Sequence, residues 1–286
     1  MVTHTKYSNP YRGKGNWYKV NLHAHCAEHS GCAAIPLKTL IAEYVRHGYD
    51  FLAITDHDSF TVVPPELHPR EMVLLSGFEY SSNPHMLCLG VRGVILSEHQ
   101  KTIDTVKAQG GIVILSHPNW EMPPHWSREQ MLQLTGFCGL EIFNGVIDRL
   151  VGDSLAVKEW DYLLSRGKRC WGFGADDSHE LFDIGRVWIK VRAEKGEISY
   201  LFQALKEGNF YVSTGLDFRE LSLIENKIHI ETDEETAFRF VGPEGKILKY
   251  HLGHLAEYWI EGWEDYVRVE GWNRKGWFWT QPFWGE

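Results

Sequence analysis

His23 and His25 stand two residues apart in the stretch VNLHAHCAEHSG, directly after a short apolar run. Side chains alternate faces along a strand, so the two imidazoles project to one side, and at a strand end both can reach a single ion. In a chain with 15 histidines such a pair alone means little. Its sequel carries the argument. ITDHD supplies Asp56, His57 and Asp58; GFEY supplies Glu79; PHMLCLG supplies His85; ILSHPN supplies His117; and GADDSHE supplies Asp177 and His179. Each borders an apolar, strand-like run. One buried His or Asp is ordinarily a satisfied core polar group. This many, gathered without cations, would leave like charges and unpaired groups buried at considerable cost. Divalent metals remove that objection, and mixed nitrogen and oxygen donors suit zinc, manganese or iron better than magnesium or calcium.

The elements that must position these residues follow from periodicity. PLKTLIAEYVRHG puts Leu37, Leu40, Ile41, Tyr44 and Val45 on one helical face, with Gly48 placed to end the helix. HQKTIDTVKAQGG and DSLAVKEWDYLLSRG also read as helices, and SREQMLQL opens with a Ser127/Gln130 capping-box pattern. YDFLAITDHD, VLLSGFEY, GIVILSHP, GLEIFNG and CWGFGADDSH read as strands between them. This alternation predicts a mainly parallel α/β sheet. A barrel is expected, because polar groups fall repeatedly at strand carboxyl ends, where such folds gather their sites.

From about Leu216 onward the period changes to two, with a turn at Pro243 to Gly245. The expected division is therefore residues 1–215 as the barrel and 216–286 as a small antiparallel β module packed on it. Trp259, Trp263, Trp272, Trp277, Trp279 and Trp284 crowd this end. They are read as filling a thin β core; a stacking platform for sugars or bases is the other reading.

A chain of 286 residues, 43% of them hydrophobic, can bury one large core, with or without a small satellite. The net charge of −9, from 38 acidic against 29 basic residues with no basic run, argues against gripping long nucleic acid through its phosphates. Cys26, Cys32, Cys88, Cys138 and Cys170 are odd in number and lack a Cys-x-x-Cys pair, so they are read as free thiols, buried or incidental, in a reducing compartment. No stretch approaches the roughly 20 apolar residues of a membrane span, and no apolar signal core opens the chain. A cytoplasmic location away from membranes is expected.

Taken in order, His-x-His, Thr-Asp-His, Gly-x-Glu, a lone His, Ser-His-Pro and Asp-x-His resemble the motif set of the polymerase and histidinol phosphatase (PHP) family of metal-dependent phosphoesterases. ALKEGNFYVSTG and WFWTQP are similar to its longer members, which carry a C-terminal β module. The resemblance implies a distorted (β/α)7 barrel with a two- or three-metal site. By position, His23, His25, Glu79 and Asp177 resemble the ligands of a first metal. Glu79, His85 and His117 would hold a second, with Glu79 bridging, and His57 and His179 a third. Asp56 and Asp58 would orient histidines. The family often has Ser-Asp-Gly after its first motif, where this chain has His29-Ser30-Gly31. The aspartate that completes the third shell is missing, and His29 is expected to replace it.

Metals about 4 Å apart can share a hydroxide that is nucleophilic at neutral pH while holding the phosphoryl oxygens. No side-chain nucleophile is then required, and Ser116 lacks the Gly-x-Ser-x-Gly setting of one. Glu79, Asp177 and His179 are expected at the catalytic core, with two or three Mn, Zn or Fe ions. Arg149 and Arg186 are candidates for holding an anionic substrate. The loop PNWEMPPHW, with Trp120, His125 and Trp126, suits a substrate-facing lid. The expected reaction is hydrolysis of a phosphomonoester of a small metabolite or nucleotide. The alternatives are a phosphodiesterase or exonuclease on short nucleic acids, or a glycan-binding module on a metal-containing barrel.

Overall fold

The structure, a computed structural model, describes residues 7–120 and 125–285. A short edge strand, β1 (Tyr7–Ser8), precedes seven staves: β2 (Asn16–Asn21), β3 (Phe51–Ile54), β4 (Val73–Tyr80), β5 (Met86–Leu89), β6 (Ile112–Leu115), β7 (Gly139–Asn144) and β8 (Trp171–Ala175). β2, β3 and β4 pair in parallel, as do β6, β7 and β8. The ring closes where the segment after β2 meets the segment after β8. There Ala24 bridges Ser178, His25 N–H donates to the Ser178 carbonyl (3.1 Å), and Asp177 N–H donates to the His23 carbonyl (3.0 Å). Every residue of β3, β5 and β6 is buried, which is why these runs read as continuously apolar rather than alternating.

Among the described residues, four helices cross between staves: α1 (Leu37–Arg46), α2 (His99–Ala108), α3 (Arg128–Gln133) and α4 (Val157–Leu164). α1 buries Leu37, Leu40, Ile41 and Tyr44, the stripe its sequence period requires. It ends where Gly48 turns left-handed at φ 71°, a conformation that costs a residue without Cβ nothing. The Ser127/Gln130 capping box at the start of α3 is formed in both directions.

One stave departs from a repeating strand–helix unit. β5 runs antiparallel to both β4 and β6, joined to β4 by Ser81–His85 with no helix between. Five residues rich in Ser, Asn and Pro can turn the chain but cannot span a parallel crossover. The reversal places the start of β5 at the end of the barrel where β4 and β6 finish.

Beyond the ring lie β9 (Trp188–Ala193), α5 (Ile198–Glu207), β10 (Phe210–Ser213), β11 (Glu220–Ile224), β12 (Lys227–Val241), β13 (Ile247–Trp259), β14 (Tyr266–Asn273), β15 (Gly276–Thr280) and β16 (Phe283–Gly285). β9 pairs antiparallel with β2, β10 with β9, and β15 with β10, so one sheet runs from the barrel into the C-terminal antiparallel strands. Alternate residues of β12, Ile228, Ile230, Phe238 and Phe240, are fully buried in the second core. Trp279 and Trp284 are buried, while Trp272, Trp277 and Trp279 stack with ring centroids 4.8 and 5.6 Å apart. Trp259 and Trp263 are exposed. α4 is tied to β14 by a buried ion cluster: Arg268 forks onto Asp161 (2.8 and 2.7 Å) and reaches Glu270 (2.6 Å), and Tyr266 donates to Asp161 (2.9 Å). No helix among the described residues is long and apolar enough to cross a membrane.

Candidate metal centre

The barrel architecture brings the sequence-selected residues to one end. His23 and His25 follow β2, His57 follows β3, Glu79 lies in the last turn of pleat of β4, His117 follows β6, and Asp177 and His179 follow β8. His85 arrives at the same end because β5 runs the other way. His117 and Asp177 adopt positive φ (27° and 51°), as does Asp58 (45°). Side chains rarely hold this backbone conformation, and strain of this kind collects at functional sites.

Glu79 is fully buried at the middle of the cluster. Its Oε1 lies 3.3 Å from His23 Nε2, 3.3 Å from His85 Nδ1 and 3.1 Å from His117 Nε2. Its Oε2 lies 2.9 Å from His57 Nδ1 and 3.5 Å from His25 Nε2. Asp177 Oδ1 is 3.1 Å from both His23 Nε2 and His25 Nε2. Despite this crowding, His23 Nε2, His25 Nε2, Glu79 Oε2, His85 Nδ1, His117 Nδ1 and Asp177 Oδ1 are buried with no hydrogen-bond partner. A buried polar atom left without a partner costs about 1–3 kcal/mol. Five of them, all but His117 Nδ1, meet around the two carboxylates and fit divalent cations, with donor atoms within 4.8 Å of one another in sets such as His23, His25, Glu79 and His57, Glu79, His85.

Outer hydrogen bonds set which nitrogen of each ring faces inward. Glu141, buried on β7, accepts from His23 Nδ1 (2.8 Å) and from the His117 backbone N–H (2.8 Å), leaving His23 Nε2 as the ligand atom. The Ser30 hydroxyl donates to Asp56 Oδ1 (2.7 Å) and so must accept from His25 Nδ1 (3.2 Å). Asp56 also accepts from the Cys26 N–H (2.8 Å) and from Thr61. The Asp177 carbonyl can only accept, so His179 Nδ1 donates to it (2.8 Å) and keeps Nε2 free. The expected outcome of Asp56→Ala is metal binding weakened by about 10–100-fold, since His25 then loses the chain that orients it. Calorimetric titration of the metal-free protein checks this, and unchanged affinity would show that Ser30 alone suffices.

Burial pushes the Glu79 and Asp177 carboxyls up, but the imidazoles around them, His23 foremost, outweigh it and hold both well below the usual carboxylate range. His23 is raised: burial pulls it down, and Asp177, Glu79 and Glu141 overcome that. His25 is lowered to about 4, chiefly by burial. The carboxylates thus demand positive charge from whatever fills the centre.

A cavity of about 230 Å³ opens onto the cluster, lined by the polar His57, Glu79, His85, His117, Asp177 and His179 and by the apolar Trp120, Val146, Ile147 and Leu150. Arg149 lines it too, held by Asp183 in a two-pronged contact (2.7 and 2.9 Å). Arg186 does not line it; its guanidinium is paired with Asp148. His29 also stands apart. It is exposed, with Nδ1 3.5 Å from the Ser59 hydroxyl, and it lines no part of the cavity. The physical reason is a tight turn in which the His29 and Ser30 N–H groups both donate to the Cys26 carbonyl, so Ser30 points in and His29 out. Asp176 is structural: it accepts from Tyr44, Tyr49 and the backbone of residues 185–187. Residues 121–124 of the lid expected from the sequence lie outside the described residues; of its flanks, Trp120 lines the cavity and His125 packs 4.7 Å from the His85 ring and 4.5 Å from the His117 ring.

Sequence reasoning missed Glu141, whose position inside the apolar run GLEIFNG was a usable signal. It also missed Cys32, read as incidental, which lies on the cavity wall. Although exposed, Cys32 has lost some of its water shell, which would raise the thiol, but the imidazoles of His179 and His57 outweigh this and lower it to about 6.

No family model and no curated protein matches the sequence. Among solved structures, a two-domain protein from Bacteroides vulgatus, described as containing a predicted PHP-like metal-dependent phosphoesterase, is 16% identical with a TM-score of 0.56; the match covers 93% of this chain and 94% of that one. PsfC from Pseudomonas syringae is 12% identical over 66% of this chain and 87% of its own, with a TM-score of 0.47. A lesion-specific endonuclease from Pyrococcus furiosus is 12% identical over 67% of this chain and 56% of its own, with a TM-score of 0.46. At those scores the latter two bear on neither fold nor function here. The first match spans both the barrel and the C-terminal strands, and the chain therefore has the PHP-like fold.

Proposed function

We propose that this chain hydrolyses a phosphomonoester of a small metabolite or nucleotide with the help of two or three divalent metal ions. The observation that carries this reading is the set of five buried, unpartnered donor atoms, His23 Nε2, His25 Nε2, His85 Nδ1, Glu79 Oε2 and Asp177 Oδ1, that converge in one place. His23, His25, Glu79 and Asp177 would hold one ion, and Glu79, His85 and His117 a second. Bound there, divalent ions supply Lewis acidity that activates water and neutralises phosphoryl oxygens. Glu141, Ser30 and Asp56 keep the rings oriented without rearrangement during reaction, which is the protein's part in an electrostatically driven displacement. Arg149, fixed by Asp183, offers a cation that cannot lose its proton to the substrate's free oxygens. Trp120, Val146, Ile147 and Leu150 give the rest of the ester an apolar wall.

A cavity of about 230 Å³ suits a small ester better than a polymer, and the net charge of −9 weighs the same way. A panel of phosphomonoesters and diesters, assayed with Mn²⁺- or Zn²⁺-loaded protein, tests the reading. Faster turnover of diesters would overturn the monoester assignment. Chelation is expected to reduce turnover to background, with recovery on adding metal back. Undiminished hydrolysis by metal-free protein would overturn the metal dependence.

A further inference from the structure

The loop between β2 and α1 is pinned beside two of the cluster's histidines. At one end the His57 backbone N–H donates to the Ser30 hydroxyl (3.2 Å); at the other, Ala34 N–H donates to the His179 carbonyl (2.9 Å). Between these anchors Cys32 lines the cavity together with His57 and His179. His25 stacks on the same pair, its ring centroid 4.4 Å from each, and its Nε2 is completely buried without a partner. The donor atoms of His25, His57 and His179 lie within 4.8 Å of one another. His57 Nδ1 is taken up by Ser81 (2.8 Å) and Glu79, and His179 Nδ1 by the Asp177 carbonyl, so each ring keeps Nε2 for a further ligand role.

We infer that Cys32 is the anionic ligand of a third metal ion held with His57 and His179, in the place expected of an aspartate. This rests on the metal-dependent reading above. A thiolate supplies the same single negative charge as a carboxylate but is a soft donor, and a sulfur–imidazole set selects Zn²⁺ over Mn²⁺. The third position therefore differs in metal preference from the two built on Glu79, whose donors are imidazole and carboxylate alone. Binding is a ligand exchange: the thiol proton leaves to solvent as the sulfur–metal bond forms.

The test uses the full chain, stripped of metal and titrated with Co²⁺ as a spectroscopic probe. Expected in the wild type is a sulfur-to-cobalt charge-transfer band in the near ultraviolet, rising with one equivalent of the bound metal. Cys32→Ser should lose that band and one equivalent of metal, while Cys138→Ser and His29→Ala should lose neither. Cys32→Asp should restore the equivalent without the band and shift competition at that position from Zn²⁺ toward Mn²⁺. Cobalt bound stoichiometrically without the band, or a band that survives in Cys32→Ser, overturns the thiolate ligand and leaves the metal centre standing. No cobalt bound at all overturns the metal-dependent reading itself.

Discussion

Glu79→Gln is expected to lower turnover by on the order of 10²–10³-fold and to cost more than loss of any single histidine of the cluster. The substitution keeps the volume of the side chain and removes its charge. Oε1 serves His23, His85 and His117, while Oε2 serves His57 and His25, so the carboxylate is shared by every ligand set that contains it. An amide offers one oxygen acceptor, and its NH2 group would point donors at rings that must present lone pairs. A histidine variant, by contrast, removes one donor from one ion. Asp177→Asn should rank next, because Asp177 Oδ1 serves fewer rings than the Glu79 carboxylate, His23 and His25 at 3.1 Å and His179 at 3.6 Å. Turnover and metal content measured together across the series check the ranking, with circular dichroism to confirm the fold. Near wild-type turnover in Glu79→Gln would rule out the shared carboxylate.

Arg268→Ala is expected to destabilise the protein by about 3–5 kcal/mol, the penalty for removing one member of a buried ion cluster. Asp161 and Glu270 are both nearly inaccessible, at 5% and 6% exposure; without Arg268, Asp161 has no basic partner and Glu270 keeps only Arg239, 3.3 Å away. Arg268→Lys should recover little, since an ammonium cannot reproduce the fork onto Asp161. Replacing Arg268, Asp161 and Glu270 together by apolar residues of similar volume should recover most of the loss. Urea unfolding measures all three variants. A loss below about 1 kcal/mol for Arg268→Ala would mean that water reaches the cluster.

Features decided within a few residues are legible in the sequence, and those decided by distant partners are not. His23, His25, His57, His117 and Asp177 were legible because each directly ends or follows an apolar run, and a barrel collects such positions. The Ser127 cap and the Gly48 stop were legible because both are decided within one helical turn. The antiparallel course of β5 was not, since a four-residue buried strand carries no mark of its direction; that direction comes from the turn at Ser81–His85. Glu141 hides among apolar neighbours because its partners, His23 and His117, are distant in sequence. That Cys32 lines the cavity and His29 does not has a related cause. Donor type favoured His29, but the turn on the Cys26 carbonyl and the anchor at His179 decide which side chain faces the centre.

The seam that closes the barrel joins residues 23–25 to residues 177–178, and it carries three of the ligands on its two lips. About 150 residues separate those lips, so the loop entropy of bringing them together is met only after the intervening staves have formed. The set His23, His25, Glu79 and Asp177, which spans the seam, is therefore completed late in folding, whereas Glu79, His85 and His117 all come from the first half of the chain. An ion held across the seam binds only the closed ring and so adds its binding free energy to the closed state by mass action. Under the proposed function, metal supply would act on how long the ring stays shut as well as on how fast it works.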